Sequence, residues 1–129
     1  MNLLKVILLF HYFLYYKKGR HGWDNNVDVN LGSFAGQTSQ GYNAVAIGRG
    51  AGNSSQVDNA VAIGNSAGFG STSSSYNIII GQMAGVNNKS SNSIFIGYQA
   101  GYSQTTGVRN TFIGVTAGYN STGSYNTFV

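Results

Sequence analysis

Residues 43–52, NAVAIGRGAG, form the part of this sequence closest to a known chemical motif. A short apolar strand that runs into a glycine-rich turn is typical of dinucleotide-binding sites, because glycine lets the backbone approach a pyrophosphate. That fingerprint requires G-x-G-x-x-G at the start of a helix, and here the third glycine comes one residue early. The residues that follow, Asn53, Ser54 and Ser55, suit a helix interior poorly. The sequence therefore argues against a nucleotide site.

Residues that could support metal binding or catalysis are sparse. A metal site needs clustered histidines or carboxylates. His11 and His21 lie near the N-terminus, and the acids are Asp24, Asp28 and Asp58. The absence of cysteine excludes disulfides and thiol chemistry, and the many serines have no histidine in the repeat region to activate them. We therefore expect no enzymatic activity, no cofactor, no metal and no small-molecule substrate.

The composition indicates a regular fold with a polar, uncharged surface. Only 8% of the 129 residues are charged, and the net charge is +4. Past residue 31 the basic residues are Arg49, Lys89 and Arg109, too few for the basic cluster that nucleic-acid binding needs. With 19 Gly, no Pro, 9 Tyr and 7 Phe, the chain is also too aromatic for a typical disordered segment.

The first 26 residues differ from the rest. Residues 3–16 are mainly apolar and are followed by Lys17, Lys18 and Arg20. This run is shorter than the roughly 20 residues of a membrane span and lacks the small residues of a signal-peptide cleavage site. Three interpretations stay open: a leader outside the fold (or a misassigned start), an uncleaved membrane anchor or signal, and a segment that caps the domain. Membrane contact is expected only if residues 3–16 are an anchor.

From residue 27 to residue 129 the chain is an internal repeat. An apolar triplet runs into an anchor glycine in each copy, and a second glycine preceded by alanine follows four residues later. The separations between anchors are 16, 16, 17, 16 and 17 residues. The anchors, which we interpret as turn glycines, are Gly32, Gly48, Gly64, Gly81, Gly97 and Gly114. A last copy, residues 127–129, stops before its glycine, which indicates a fragment or a domain without a cap.

A period of this length predicts an all-β parallel β-roll or β-solenoid with coils of 16–17 residues. Each coil is expected to hold an apolar strand of about four residues, a glycine corner, a polar strand and a loop. Residues 102–105 and 119–122 are examples of the predicted polar strands. The tyrosines of these coils either line a receptor surface or stack between coils.

Both faces of the apolar strand are hydrophobic, and alternation separates them. One face is predicted to be the structural core; it contains Val45, Ile47, Val61, Ile63, Ile78, Ile80, Ile94, Ile96 and Ile113. The opposite face is a candidate oligomer face; it contains Ile79, Phe95, Phe112 and Phe128. An exposed row of phenylalanines favours self-association, and the alternatives are that the leader covers it or that the coil is wider.

The motifs NAVAIGRGAG and NAVAIGNSAG resemble the YadA-like head repeats of trimeric autotransporter adhesins. NSIFIGYQAGYS and NTFIGVTAGYNSTGSYNTF resemble related repeats of bacterial surface proteins and of phage or giant-virus tail-fibre-like proteins. The resemblance implies a left-handed roll, a homotrimer and surface attachment. The repeat is longer than the usual head repeat, and the neck, stalk and membrane-anchoring barrel of the adhesins do not occur in this sequence.

Three functions follow as expectations. The first is a non-enzymatic adhesion module, at the cell surface, outer-membrane-associated and extracellular, or on a virion fibre, that binds a host-surface protein, matrix or glycan. The second is a structural spacer of such a fibre. The third is a monomeric ice- or glycan-binding solenoid, which a threonine ladder would favour; Thr111 and Thr127 occupy equivalent positions. No nucleic-acid partner is expected.

Overall fold

The computed structural model describes residues 28–38, 40–54, 58–71, 75–104 and 106–129, together with Asn2 and Lys5. The predicted leader, residues 1–26, lies outside the described residues apart from those two. In the part of the chain that is described, no helix is both long and apolar enough to cross a bilayer.

In the described residues, seven short strands form a parallel sheet in chain order. Each strand pairs in register with the equivalent strand of the next coil, as Val45 does with Val61. This arrangement is a β-solenoid of stacked coils, as the repeat predicts. The strands are β1 Val29–Leu31, β2 Val45–Ile47, β3 Val61–Ile63, β4 Ile78–Ile80, β5 Ile94–Ile96, β6 Thr111–Ile113 and β7 Thr127–Phe128.

The anchor glycine ends each strand after three residues rather than the expected four. At Gly64 the backbone turns with φ +130°, a conformation that side chains other than glycine's hydrogen rarely accept. A Cβ on Gly64 would also lie 2.7 Å from the carbonyl oxygen of Gly81 in the next coil. All six anchors have φ between +120° and +135°. The anchors therefore stack directly on one another, which brings successive coils together at this corner.

The second half of each coil consists of turns, and the predicted polar strands are wrong. The N–H of Gln104 donates to the carbonyl of Gly101 at 3.3 Å, and that of Ser121 to Gly118 at 3.1 Å. These local bonds, three residues apart, are typical of turns. Single backbone bonds still join the coils here, as from the N–H of Ser103 to the carbonyl of Tyr119 at 2.9 Å. Among the described residues, the isolated parallel bridge in this half of the coil pairs Thr38 with Ser54. Thr105, the last residue of one predicted strand, lies outside the described residues.

The central residue of each strand points into the coil, which reverses the expected assignment of faces. Ala46, Phe95 and Phe112 are fully buried, and Ile79 is 3% exposed. Phe128, on the last strand, is 44% exposed and stacks on Phe112 with ring centroids 5.0 Å apart. The residues predicted to be the core are instead partly exposed on the outside of the sheet; they are Val45, Ile47, Val61, Ile63, Ile78, Ile80, Ile94, Ile96 and Ile113.

The reason for the reversal is the width of the coil. The corner opposite the sheet supplies a column of buried alanines, among them Ala84 and Ala100, to the same core. The interior therefore holds one strand side chain per coil, and the two residues that flank it must point outward. Towards the C-terminus this inner side chain grows from alanine through isoleucine to phenylalanine.

A column of buried polar side chains lies just before the strands. The amide oxygen of Asn77 accepts a hydrogen bond from the N–H of Ser93 at 2.8 Å, and the Oγ of Ser93 accepts one from the N–H of Asn110 at 3.1 Å. Asn110 repeats the pattern with the N–H of Asn126 at 2.8 Å. Because each bond joins one coil to the next, the column holds the coils in register.

Candidate functional site

At the glycine-rich corner, residues 48–52, the N–H groups of the three glycines already donate to carbonyl groups of neighbouring coils. The N–H of Gly48 donates to Leu31 at 2.7 Å, that of Gly50 to Ser33 at 2.8 Å and that of Gly52 to Ala67 at 2.9 Å. The segment forms turns rather than a helix, so it also lacks a helix N-terminus. These glycines allow the backbone to turn with positive φ, as the sequence predicts for turn glycines.

The acidic residues of the solenoid serve as hydrogen-bond acceptors for the backbone. The carboxylate of Asp58 accepts from the N–H of Tyr42 at 2.8 Å, and that of Asp28 from the N–H of Ala44 at 3.1 Å. Among the described residues, no three histidine, cysteine or acidic side chains come together as a metal site would require. Three surfaces of the solenoid are candidate sites of interaction.

The first such surface is the outside of the sheet, which we call the outer stripe. It consists of two parallel rows of strand side chains that point away from the coil. One row contains Val29, Val45, Val61, Ile78, Ile94, Thr111 and Thr127. The other row contains Leu31, Ile47, Ile63, Ile80, Ile96 and Ile113.

The outer stripe is uncharged and mainly apolar, with threonine in the last two coils of one row. Six steps of about 4.8 Å make it roughly 29 Å long. Val29 and Leu31 are about half exposed, at 47% and 51%, whereas Ile78 and Ile113 are 39% and 38% exposed. A contiguous apolar strip of this kind on a soluble protein usually marks an interaction surface.

The second surface carries the exposed tyrosines. Tyr102 and Tyr119 stack between coils, with ring centroids 5.0 Å apart and ring planes 4° from parallel. Tyr42, Tyr76 and Tyr125 project from the loops and are 65%, 61% and 69% exposed. Stacking between coils, one of the two sequence interpretations, is therefore confirmed for Tyr102 and Tyr119, whereas a receptor surface stays a prediction.

Arg109 joins this loop surface. Its guanidinium donates to the hydroxyl of Tyr125 at 2.6 Å and lies over that ring, 5.4 Å from the centroid. The loop surface therefore combines the ordered pair of Arg109 and Tyr125 with the exposed ring of Tyr76.

The third surface is a column of corner residues, two positions after each anchor glycine, that we call the corner column. Its members are Phe34, Gly50, Ser66, Met83, Gln99 and Thr116. All have left-handed φ, from +55° to +67°. Gly50 is the glycine of this column, where the equivalent residues carry side chains. The repeat pattern does not predict that the missing side chain leaves a gap lined by Phe34 and Phe69.

No protein-family model, curated protein or solved structure matches this chain. The geometry of its surfaces is therefore the basis for assigning a function.

Proposed function

We propose that this protein is a non-enzymatic attachment module, a left-handed, head-type β-roll of the YadA-like kind that assembles as a homotrimer. It acts at a cell surface or on a virion fibre and binds a host-surface protein, a matrix component or a glycan. The observation that carries the proposal is the outer stripe, because an uncharged apolar strip about 29 Å long favours burial against another surface.

A second copy of the chain fits the outer stripe well. Its side chains repeat with the spacing of the sheet, so an identical stripe offers matching ridges along its whole length. Residues such as Ile80 and Ile96 lose little conformational freedom on packing, because β-branched side chains are already stiff. In a trimer three such faces would surround one axis and leave the tyrosine loops and the corner column outside.

The first test is the solution mass of the full chain by light scattering on a sizing column. A trimer, three times the 13.6 kDa chain mass, is expected. A double variant, Ile80→Lys with Ile96→Lys, is expected to give a monomer with unchanged far-ultraviolet circular dichroism, because it places charges in the buried interface. The matched control is Val115→Lys, which adds a charge at a residue that is 73% exposed and outside the stripe.

Attachment itself is tested by binding of the trimer to host cells and to arrays of matrix proteins and glycans. Binding by the wild-type protein is expected. A monomeric wild type would overturn the trimer and favour a monomeric solenoid, whereas a trimer that binds nothing on these arrays would leave the spacer function.

A further inference from the structure

The interruption of the corner column at Gly50 creates a notch on the outside of the rod. The N–H of Gly50 donates to Ser33 at 2.8 Å and the N–H of Ser66 donates to Arg49 at 2.8 Å, so the corners of successive coils stack in register. Phe34 and Ser66 are the equivalent residues in the two adjacent coils, and Gly50 has no side chain to fill the space between them. The resulting notch of about 250 Å³ is lined by Phe34, Arg49, Gly50, Asn53, Ser66 and Phe69.

Two phenyl rings form the walls of the notch. Phe34 is 56% exposed and Phe69 is 42% exposed, unusually high values for phenylalanine. The ring of Phe69 comes within 3.8 Å of where a Cβ on Gly50 would lie. Rings of this kind offer an apolar platform on which a flat ligand can stack.

The polar groups of the notch complement an anion that also carries hydroxyl groups. The exposed guanidinium of Arg49 makes no hydrogen bond or ion pair with the described part of the chain, so none of those residues occupies its donors. The hydroxyl of Ser66 donates to Asn65 at 3.1 Å, which leaves its oxygen able to accept. Arginine is suited to a carboxylate because its planar fork can donate two parallel hydrogen bonds.

The backbone that carries Phe34 is tied to the side chain of Asn53. The side-chain amide of Asn53 donates to the carbonyl of Phe34 at 3.0 Å and to the amide oxygen of Gln37 at 3.0 Å. A backbone held in this way loses less conformational entropy on binding.

We propose that this notch binds one carboxylated sugar residue, with the pyranose ring against Phe34 and Phe69 and the carboxylate on Arg49. The volume of about 250 Å³ lies just below the range of roughly 300–1,000 Å³ typical of pockets for drug-sized molecules, which suits a single sugar ring. A pyranose also has the apolar face and the hydroxyl rim that this lining complements. The assignment rests on the proposed attachment function and specifies its glycan.

The test is an NMR titration of the full, isotope-labelled chain with glucuronic acid, with N-acetylneuraminic acid and with neutral glucose. Shifts centred on residues 49–53 and on Phe34 and Phe69 are expected for an acidic sugar, with a Kd on the order of 1 mM, and much weaker shifts for glucose. Stronger binding of glucuronic acid would indicate an acidic polysaccharide as the source, and stronger binding of N-acetylneuraminic acid would indicate the ends of host glycans.

Two variants and a matched control make the test specific. Arg49→Gln is expected to weaken binding about tenfold or more, because a charge-assisted hydrogen bond is lost. Gly50→Asn is expected to abolish it by filling the notch, while the fold is kept because asparagine accepts left-handed φ. Lys89→Gln removes the same charge elsewhere and should leave binding unchanged.

Equal binding of glucose and the acidic sugars, an unaffected Arg49→Gln variant, or the absence of any shift would each overturn the sugar site. The solution mass is measured separately, so a trimer that binds no acidic sugar would overturn this site and leave the proposed assembly standing.

Discussion

Phe95 and Phe112 stack inside the coil with ring centroids 5.4 Å apart and ring planes 19° from parallel. Both side chains are fully buried. They occupy the centre of β5 and β6, so this stack joins two coils through the interior while the backbone joins them through the sheet. The phenylalanines at the centres of β5 and β6 are therefore core residues, and a contact between chains at the sheet would involve the residues beside them.

Removing one ring of this stack should be severely destabilising. Phe95→Ala is expected to lower the free energy of unfolding by about 3–5 kcal/mol, because it leaves a cavity against both Phe112 and the alanine column. Chemical denaturation followed by circular dichroism measures the change. Val115→Ala, at a residue that is 73% exposed, is the control and should change the stability by less than about 0.5 kcal/mol. Similar losses for the two variants would contradict the buried position of Phe95.

The anchor glycines offer a matched pair that separates backbone strain from steric overlap. Gly64 and Gly114 have φ of +130° and +135°, so alanine is equally strained at both. At Gly64 the new methyl would also overlap the backbone of Gly81, whereas at Gly114 its nearest neighbour is the Cβ of Ala117 at 3.8 Å. Gly114→Ala should cost about 1–3 kcal/mol.

Gly64→Ala should cost well over 4 kcal/mol or prevent folding, because backbone on both sides of the overlap has to move. Denaturant midpoints of the two variants make the comparison. Equal midpoints would show that the coils do not approach as closely as the structure has them.

One corner residue is a site for stabilisation. Thr116 is exposed, β-branched and held at φ +57°, a costly combination. Thr116→Asn should raise the free energy of unfolding by about 0.5–1 kcal/mol, because asparagine tolerates left-handed backbone. Thr127→Asn, on an exposed strand position, should have the opposite sign, because threonine favours strands. Thermal unfolding of both variants is the measurement, and a loss of stability in Thr116→Asn would argue against strain at this corner.

The buried polar column should be sensitive to truncation. Asn110 accepts from the N–H of Asn126 and donates to the carbonyl of Gly123, each at 2.8 Å. Asn110→Ala leaves both partners without their bond and should cost about 2–3 kcal/mol. Asn120→Ala, on an exposed corner, should be nearly neutral. Amide hydrogen exchange at residue 126 reports the loss directly, and an unchanged rate there would contradict the bond.

The repeat period was enough to predict where the strands lie and how they pair. The triplets 45–47, 61–63 and 94–96 are strands in the structure, and they pair in parallel at the predicted spacing. This worked because a parallel stack of coils forces equivalent residues onto one another, so the period in the sequence becomes the register of the sheet.

The alternation pattern alone could not show which face of the strand lies inside. Both faces are apolar, and the alternation of side chains separates the two faces without showing which one is buried. A usable signal was the size of the central residue. Ala46 and Ala62 are too small for an outer face that otherwise carries β-branched residues, but they suit an interior already narrowed by alanines from the opposite corner.

The notch at Gly50 could not be predicted from the sequence because its two rings come from positions that the repeat does not align. Phe34 and Phe69 are 35 residues apart and occupy different positions within their coils. Phe69 follows the corner column rather than belonging to it, so the repeat alignment does not bring the two rings together. Only the path of the corner backbone does so.

The inner side chains become larger along the solenoid, so its two ends differ in their resistance to a pulling force. Repeat stability is approximately the sum of contributions from each coil and its neighbours, so coils around Ala46 and Ala62 contribute less than those around Phe95 and Phe112. A rod anchored at its aromatic end and loaded at the other would yield from the alanine end, coil by coil. The alanine coils would then unfold first and absorb the load, while the aromatic coils stay folded.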